Sequence, residues 1–125
     1  MNAPLYTTEI LRLAASLPEP RPLQRTDGSA SLRSPTCGST LEVDVQLDAE
    51  GRIEAVSQRV HACAFGQAAA ALAGSWAVGK SRAEVRQSLA ELAGWLEGSR
   101  NDPPSSAEWA ALAPALTRKS RHGAI

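Results

Sequence analysis

The chain has 125 residues, 13 basic and 13 acidic side chains, and a formal net charge of zero. A balanced surface has no field to steer it onto nucleic acid or an anionic membrane, and only 4% aromatic residues leave no stacking platform for bases. The length suits a single domain over residues 1–125 with one modest core, since a chain of this size buries roughly 65% of its unfolded surface on folding.

Residues 7–17 read as a helix with Ile10, Leu11, Leu13, Ala14 and Leu17 as its apolar stripe, and Thr7 or Thr8 as its cap. "PEPRP" stops it, because proline lacks the amide donor and clashes with the preceding turn. Glu9 and Arg12 interrupt the apolar run and no basic stretch precedes it, so no secretory leader is expected. No stretch approaches the ~20 apolar residues of a membrane span. The expectation is a soluble, cytoplasmic protein.

"RTDGSASLRSP" is polar and turn-rich, with room for one short strand near 29–34. Residues 41–48 alternate, with Leu41, Val43, Val45 and Leu47 facing one way and Glu42, Asp44, Gln46 and Asp48 the other, as in a strand with one wet face. "AEG" makes a turn, and "RIEAVSQRVHA" alternates again through Ile53, Ala55 and Val60, with a phase slip near Ser57 that reads as a bulge. The two strands form an antiparallel hairpin that brings Leu41 and Val60 close to opposite each other.

After Cys63 the pattern changes. "AFGQAAAALAGSWAVG" is helix-forming and apolar almost all round, so this helix is expected to be buried and to end at Gly79. Its alanines favour close helix packing. Ser81 and Glu84 have capping-box spacing and open a helix with Val85, Leu89, Leu92 and Leu96 on one face, closed by Gly98. Ser105 and Glu108 repeat that spacing before Trp109, Leu112 and Ala113, and a basic tail with one histidine follows. Trp76, Trp95 and Trp109 read as core. The fold class is α/β of the α+β kind: an antiparallel sheet with helices.

The chemistry centres on two cysteines. Cys37 stands where a loop enters the first clear strand, and Cys63 where the last strand hands over to a helix. The hairpin places both just beyond its open end, on the same side of the sheet. Cys63 also stands at a helix N-terminus, whose unpaired amides and dipole favour a thiolate, the form that binds metal or attacks a sulfur donor. The residues alone leave three readings open: a shared site, a small buried cysteine beside an ordinary loop thiol, or a disulfide. His61 and His122 are the remaining good ligands; on a strand His61 points away from its neighbours' face, and His122 lies in the tail. Glu42 and Asp44 share a strand face, as surface acids do. Ser39 lacks a nucleophile-elbow pattern, and the glycines form no phosphate loop. No triad or catalytic acid pair is visible, so an enzyme is not expected.

"SPTCGS", an alternating strand, "DAEGRI", a second strand and "HACAFGQAAAAL" together resemble the NifU/IscU/SufU-type iron–sulfur cluster assembly scaffold proteins. "LYTTEILRLA" is similar to that family's first helix with its leading tyrosine. The resemblance spans nearly the whole chain in order and is specific over residues 34–72. It implies an α/β fold with a three-stranded antiparallel sheet covered by helices on one face. It also implies that Cys37 and Cys63 are cluster ligands that hold a 2Fe–2S cluster, iron or zinc, with sulfur accepted from a cysteine desulfurase and the cluster passed to acceptor proteins. Two departures stand out. Ser39 replaces the family's aspartate after Cys-Gly, and a hydroxyl is a poorer ligand than a carboxylate. "KSRHGAI" places His122 at or next to the family's third cysteine. The implied set is Cys37, Cys63 and His122, with Ser39 and His61 as weaker candidates. The alternatives are a cluster-less interaction protein that modulates the sulfur-transfer machinery and a domain with structural zinc.

Overall fold

The computed structural model describes residues 7–34, 38–99, 101–102, 109–113 and 125. The elements run α1 (Thr8–Ala15), β1 (Gly28–Arg33), β2 (Thr40–Leu47), β3 (Ile53–His61), α2 (Ala64–Ala77) and α3 (Arg82–Glu97). The sheet is three-stranded and antiparallel in the order β1-β2-β3. No described helix is long and apolar enough to cross a membrane.

Local chemistry sets most boundaries. Thr7 caps α1, its hydroxyl accepting from the Ile10 amide at 3.2 Å. The helix stops at Ala15, two residues short of the sequence expectation, and Ser16 folds its hydroxyl back onto the Leu13 carbonyl at 2.6 Å. Between β2 and β3 the Asp48 carboxylate accepts from the Glu50 and Arg52 amides, both at 2.9 Å, and Gly51 takes the left-handed conformation (φ +78°) that closes the turn. The capping box at Ser81 and Glu84 is complete, and Gly98 ends α3 with φ +86°. The second capping box, at Ser105 and Glu108, lies outside the described residues.

Leu41 pairs with Val60, as the alternation requires. The irregularity falls elsewhere than expected: Gln46 pairs with Ala55 and Leu47 with Ile53, so the extra residue is Glu54 and the ladder is regular at Ser57. One sheet face carries Leu41, Val43, Val45, Val56, Gln58 and Val60. The Gln58 amide donates to the Ala70 carbonyl of α2 at 2.9 Å, which places the helix on that face. On the other face Gln46, expected to be wet, is only 6% exposed. The connector 17–27 crosses there. Its Arg25 amide donates to Gln46 Oε1 at 3.3 Å, while Gln46 Nε2 donates to Glu54 at 3.0 Å, so the burial leaves the carboxamide satisfied.

The buried cluster lies among the helices rather than against the sheet. Ile10, Phe65, Ala68, Ala69, Leu72, Leu92, Trp95, Trp109 and Leu112 form it, with Trp76 packed at its margin. The small α2 side chains bring helices close, and Trp76 meets Trp109 edge to face at 6.1 Å. Helix α2 is buried from Phe65 to Leu72 apart from Gln67, and then rises to the surface. In α3 the buried residues are Leu92 and Trp95, whereas Leu89 is 64% exposed. The face that carries Leu92 and Trp95 joins the buried cluster, and Leu89 is left outside it.

Candidate functional site: the loop–helix junction

The site is built at the open end of the β2–β3 hairpin. Thr40 opens β2 and pairs with His61, the last residue of β3. Ahead of Thr40 the loop is pinned at its base: the Ser34 amide donates to the Ser39 carbonyl at 2.8 Å, and the Gly38 amide to the Ser34 carbonyl at 3.0 Å. Gly38 adopts φ +73°, a conformation natural to glycine, and so turns the chain back into the strand. Cys37 lies outside the described residues, directly before this glycine.

Across from the loop, the chain leaves β3 at His61 and enters α2 with Cys63 as its N-cap. Cys63 has extended backbone angles (φ −68°, ψ 175°), and its side chain makes no capping hydrogen bond. It is half-buried against the apolar cluster, a free thiol. The Cys63 carbonyl accepts from the Gln67 amide at 2.9 Å, and the Gln67 side chain donates to the Ala62 carbonyl at 2.9 Å. Gln67 therefore ties down the turn that carries the cysteine.

A cleft of about 200 Å³ joins the two segments, with Ser34 and Ser39 on one wall, Ala62 and Gly66 on the other, and Ile125 closing one side. The structure thus brings the chain on either side of Cys37 to the turn that holds Cys63. Ser39 is half-buried in this cleft. His61 is exposed, and strand alternation puts it on the face opposite the Gln58 and Val60 side chains that look toward α2. His122 lies outside the described residues. Among the described residues, no three His, Cys, Asp or Glu side chains converge as a metal site. Sequence reading missed Ile125, an isolated large apolar residue ending a basic tail, which packs against the core at this junction.

No family model matches the chain, and no curated protein sequence matches it. Solved structures do. The N-terminal part of a nitrogen-fixing NifU-like protein from Brucella abortus superposes with a TM-score of 0.83 at 26% identity, over 96% of this chain and 83% of that one. A protein of Fervidobacterium islandicum AW-1, described as an iron–sulfur cluster assembly scaffold for the SUF system, gives 0.75 at 15% identity over 92% and 82%. A hypothetical protein gives 0.63 at 19% identity over 93% and 88%. The chain thus has the α+β fold of NifU-like and SufU iron–sulfur scaffold proteins, as the resemblance carried by "SPTCGS" and "HACAFGQ" implied.

Proposed function

We propose that this chain is a scaffold or carrier in iron–sulfur cluster assembly, with the cluster as its cargo at the loop–helix junction. Cys37 and Cys63 are the principal ligands and sulfur acceptors, and His122 is the third ligand. Two thiolates and an imidazole suit a 2Fe–2S unit or zinc. Sulfur arrives by exchange: a site thiolate attacks the outer sulfur of a desulfurase persulfide, and the desulfurase cysteine leaves as thiolate. A reductant then supplies two electrons to release sulfide. Three protein ligands, one of them in a tail, hold a cluster less firmly than four, which suits transfer. The observation that carries the reading is the shared cleft between the Ser34–Ser39 loop and the Ala62–Gly66 turn, in a fold shared with a NifU-like protein and a SUF-system scaffold.

Anaerobic reconstitution with ferrous iron, cysteine and a cysteine desulfurase tests it. The expected product contains iron and acid-labile sulfide and absorbs in the visible, and Cys37→Ala and Cys63→Ala each lose these properties. Adventitious metal without sulfide in the wild-type chain would count against assembly. Ser39, where the family has aspartate, favours a second reading: a protein that keeps the fold and its partner surface without holding a cluster. That protein would bind its desulfurase or scaffold partner equally well with both cysteines replaced by alanine.

A further inference from the structure

Among the described residues β1 is an outer strand of the sheet and pairs with β2 alone. All six of its residues sit in unbroken register, and every one after Gly28 is exposed. Apart from Arg33 at its end, the strand "GSASLR" contains no charge, proline or bulge, the devices that blunt a free edge. Among the described residues no strand lies beside its outward row of backbone groups. The opposite edge, at β3, is screened by the connector after α1, whose Arg21 amide donates to the Ser57 hydroxyl at 3.1 Å. Leu32, on β1, is 63% exposed, among the most exposed large apolar side chains described.

We propose that β1 pairs antiparallel with β1 of a second copy of this chain, centred on Ala30, making one six-stranded sheet across a two-fold axis. The carrying observation is that "DGSASLR" (residues 27–33) is complementary to itself in that register. Asp27 stands opposite Arg33 at both ends, Gly28 opposite Leu32, Ser29 opposite Ser31, and Ala30 opposite itself. Each Leu32 side chain then lies over a glycine of the other copy, beside Val45, the β2 residue paired with that glycine. Arg33 has no ion-pair partner among the described residues and gains one. The Asp27 carboxylate, which accepts from Arg25 and the Leu47 amide, has lone pairs left for it. Centring the axis on Ser29 or Ser31 loses both charge pairs and the glycine–leucine match. A two-fold axis perpendicular to the sheet keeps α2 of each copy on the same face, and the strand that α2 chiefly packs on is β3, two strands in from the new seam. An edge-only seam is small, so the association is weak and dependent on concentration.

Sedimentation of the full chain from micromolar to millimolar concentration is the test. A reversible monomer–dimer equilibrium is expected. Leu32→Lys and Arg33→Glu, both at exposed positions, each raise the dissociation constant by about tenfold or more with unchanged circular dichroism. Register is read by mild oxidation with both native cysteines replaced by serine: Ala30→Cys crosslinks to itself, whereas Ser29→Cys crosslinks only when mixed with Ser31→Cys. A chain that stays monomeric at millimolar concentration, a dimer indifferent to both edge substitutions, or crosslinking in another register would each overturn the proposal.

Discussion

Gly74, in the last turns of α2, faces Gln58 of β3. A Cβ added there would stand 2.6 Å from Gln58 Nε2. Carbon and nitrogen need roughly 3.5 Å, so Gly74→Ala displaces the carboxamide by about 1 Å. The bond it makes to the Ala70 carbonyl, now 2.9 Å, is then lost. That loss costs about 1 kcal/mol net, and more if the amide is stranded without water. The freed amide has somewhere to go, because Gln58, Ser57, Gly74 and Ser75 line an open cleft of about 500 Å³. The lower figure therefore applies. Against it stands the helix-propensity gain of replacing glycine by alanine, up to about 1 kcal/mol. The two nearly cancel, and Gly74→Ala alone is expected to change stability by less than about 0.5 kcal/mol. In a Gln58→Ala background the obstacle is gone and the same substitution stabilises by about 0.5–1 kcal/mol. Urea unfolding of the four proteins, followed by tryptophan fluorescence, gives the coupling, expected at about 1 kcal/mol. Equal stabilisation by Gly74→Ala in both backgrounds would refute the placement of Gln58 against α2.

Three further outcomes are expected. Phe65 is fully buried in the first turn of α2, and Phe65→Ala should cost about 3–5 kcal/mol in chemical denaturation; a loss below about 1 kcal/mol would mean the first turn is not packed as seen. Asp27 is held below its ordinary carboxyl range chiefly by the Leu47 amide and then by Arg25, and Glu84 by the Ser81 amide and then by Arg52. Both folded pKa values lie below the unfolded ones, so their stabilisation is complete above the usual carboxylate range and fades as pH falls through it. The Asp27→Asn, Glu84→Gln double variant should therefore lose stability less steeply than wild type between about pH 5 and pH 3, and parallel curves would contradict the assignment. Finally, Ser39→Asp should lengthen the half-life of a reconstituted cluster several-fold by adding a carboxylate at the cleft, read from the decay of visible absorbance under chelator; an unchanged decay would remove position 39 from the site.

The parts of the fold legible in the sequence are those decided within a few residues. Thr7, the Asp48–Gly51 turn, the Ser81–Glu84 box and Gly98 each act through hydrogen bonds or backbone conformations of their immediate neighbours, so residue type and spacing specify them. The Leu41–Val60 register follows from alternation and turn length. Cys63 at the head of α2 follows from the change of period that begins after it.

What escaped the sequence depended on partners far along the chain. Gln46 reads as a wet strand residue until the connector delivers the Arg25 amide to it. Leu89 belongs to the apolar stripe read from the sequence, yet it is exposed, while Trp95 joins the buried cluster, and only the tertiary packing makes that choice. Gln58 bridging to Ala70, and Ile125 returning to the cleft beside Ser39, are likewise contacts between distant segments. Periodicity and capping thus determined which elements form and where they begin. The tertiary structure decided which faces are buried and which segments share the site, because burial is a property of the surfaces that meet, and no single stretch of chain contains both.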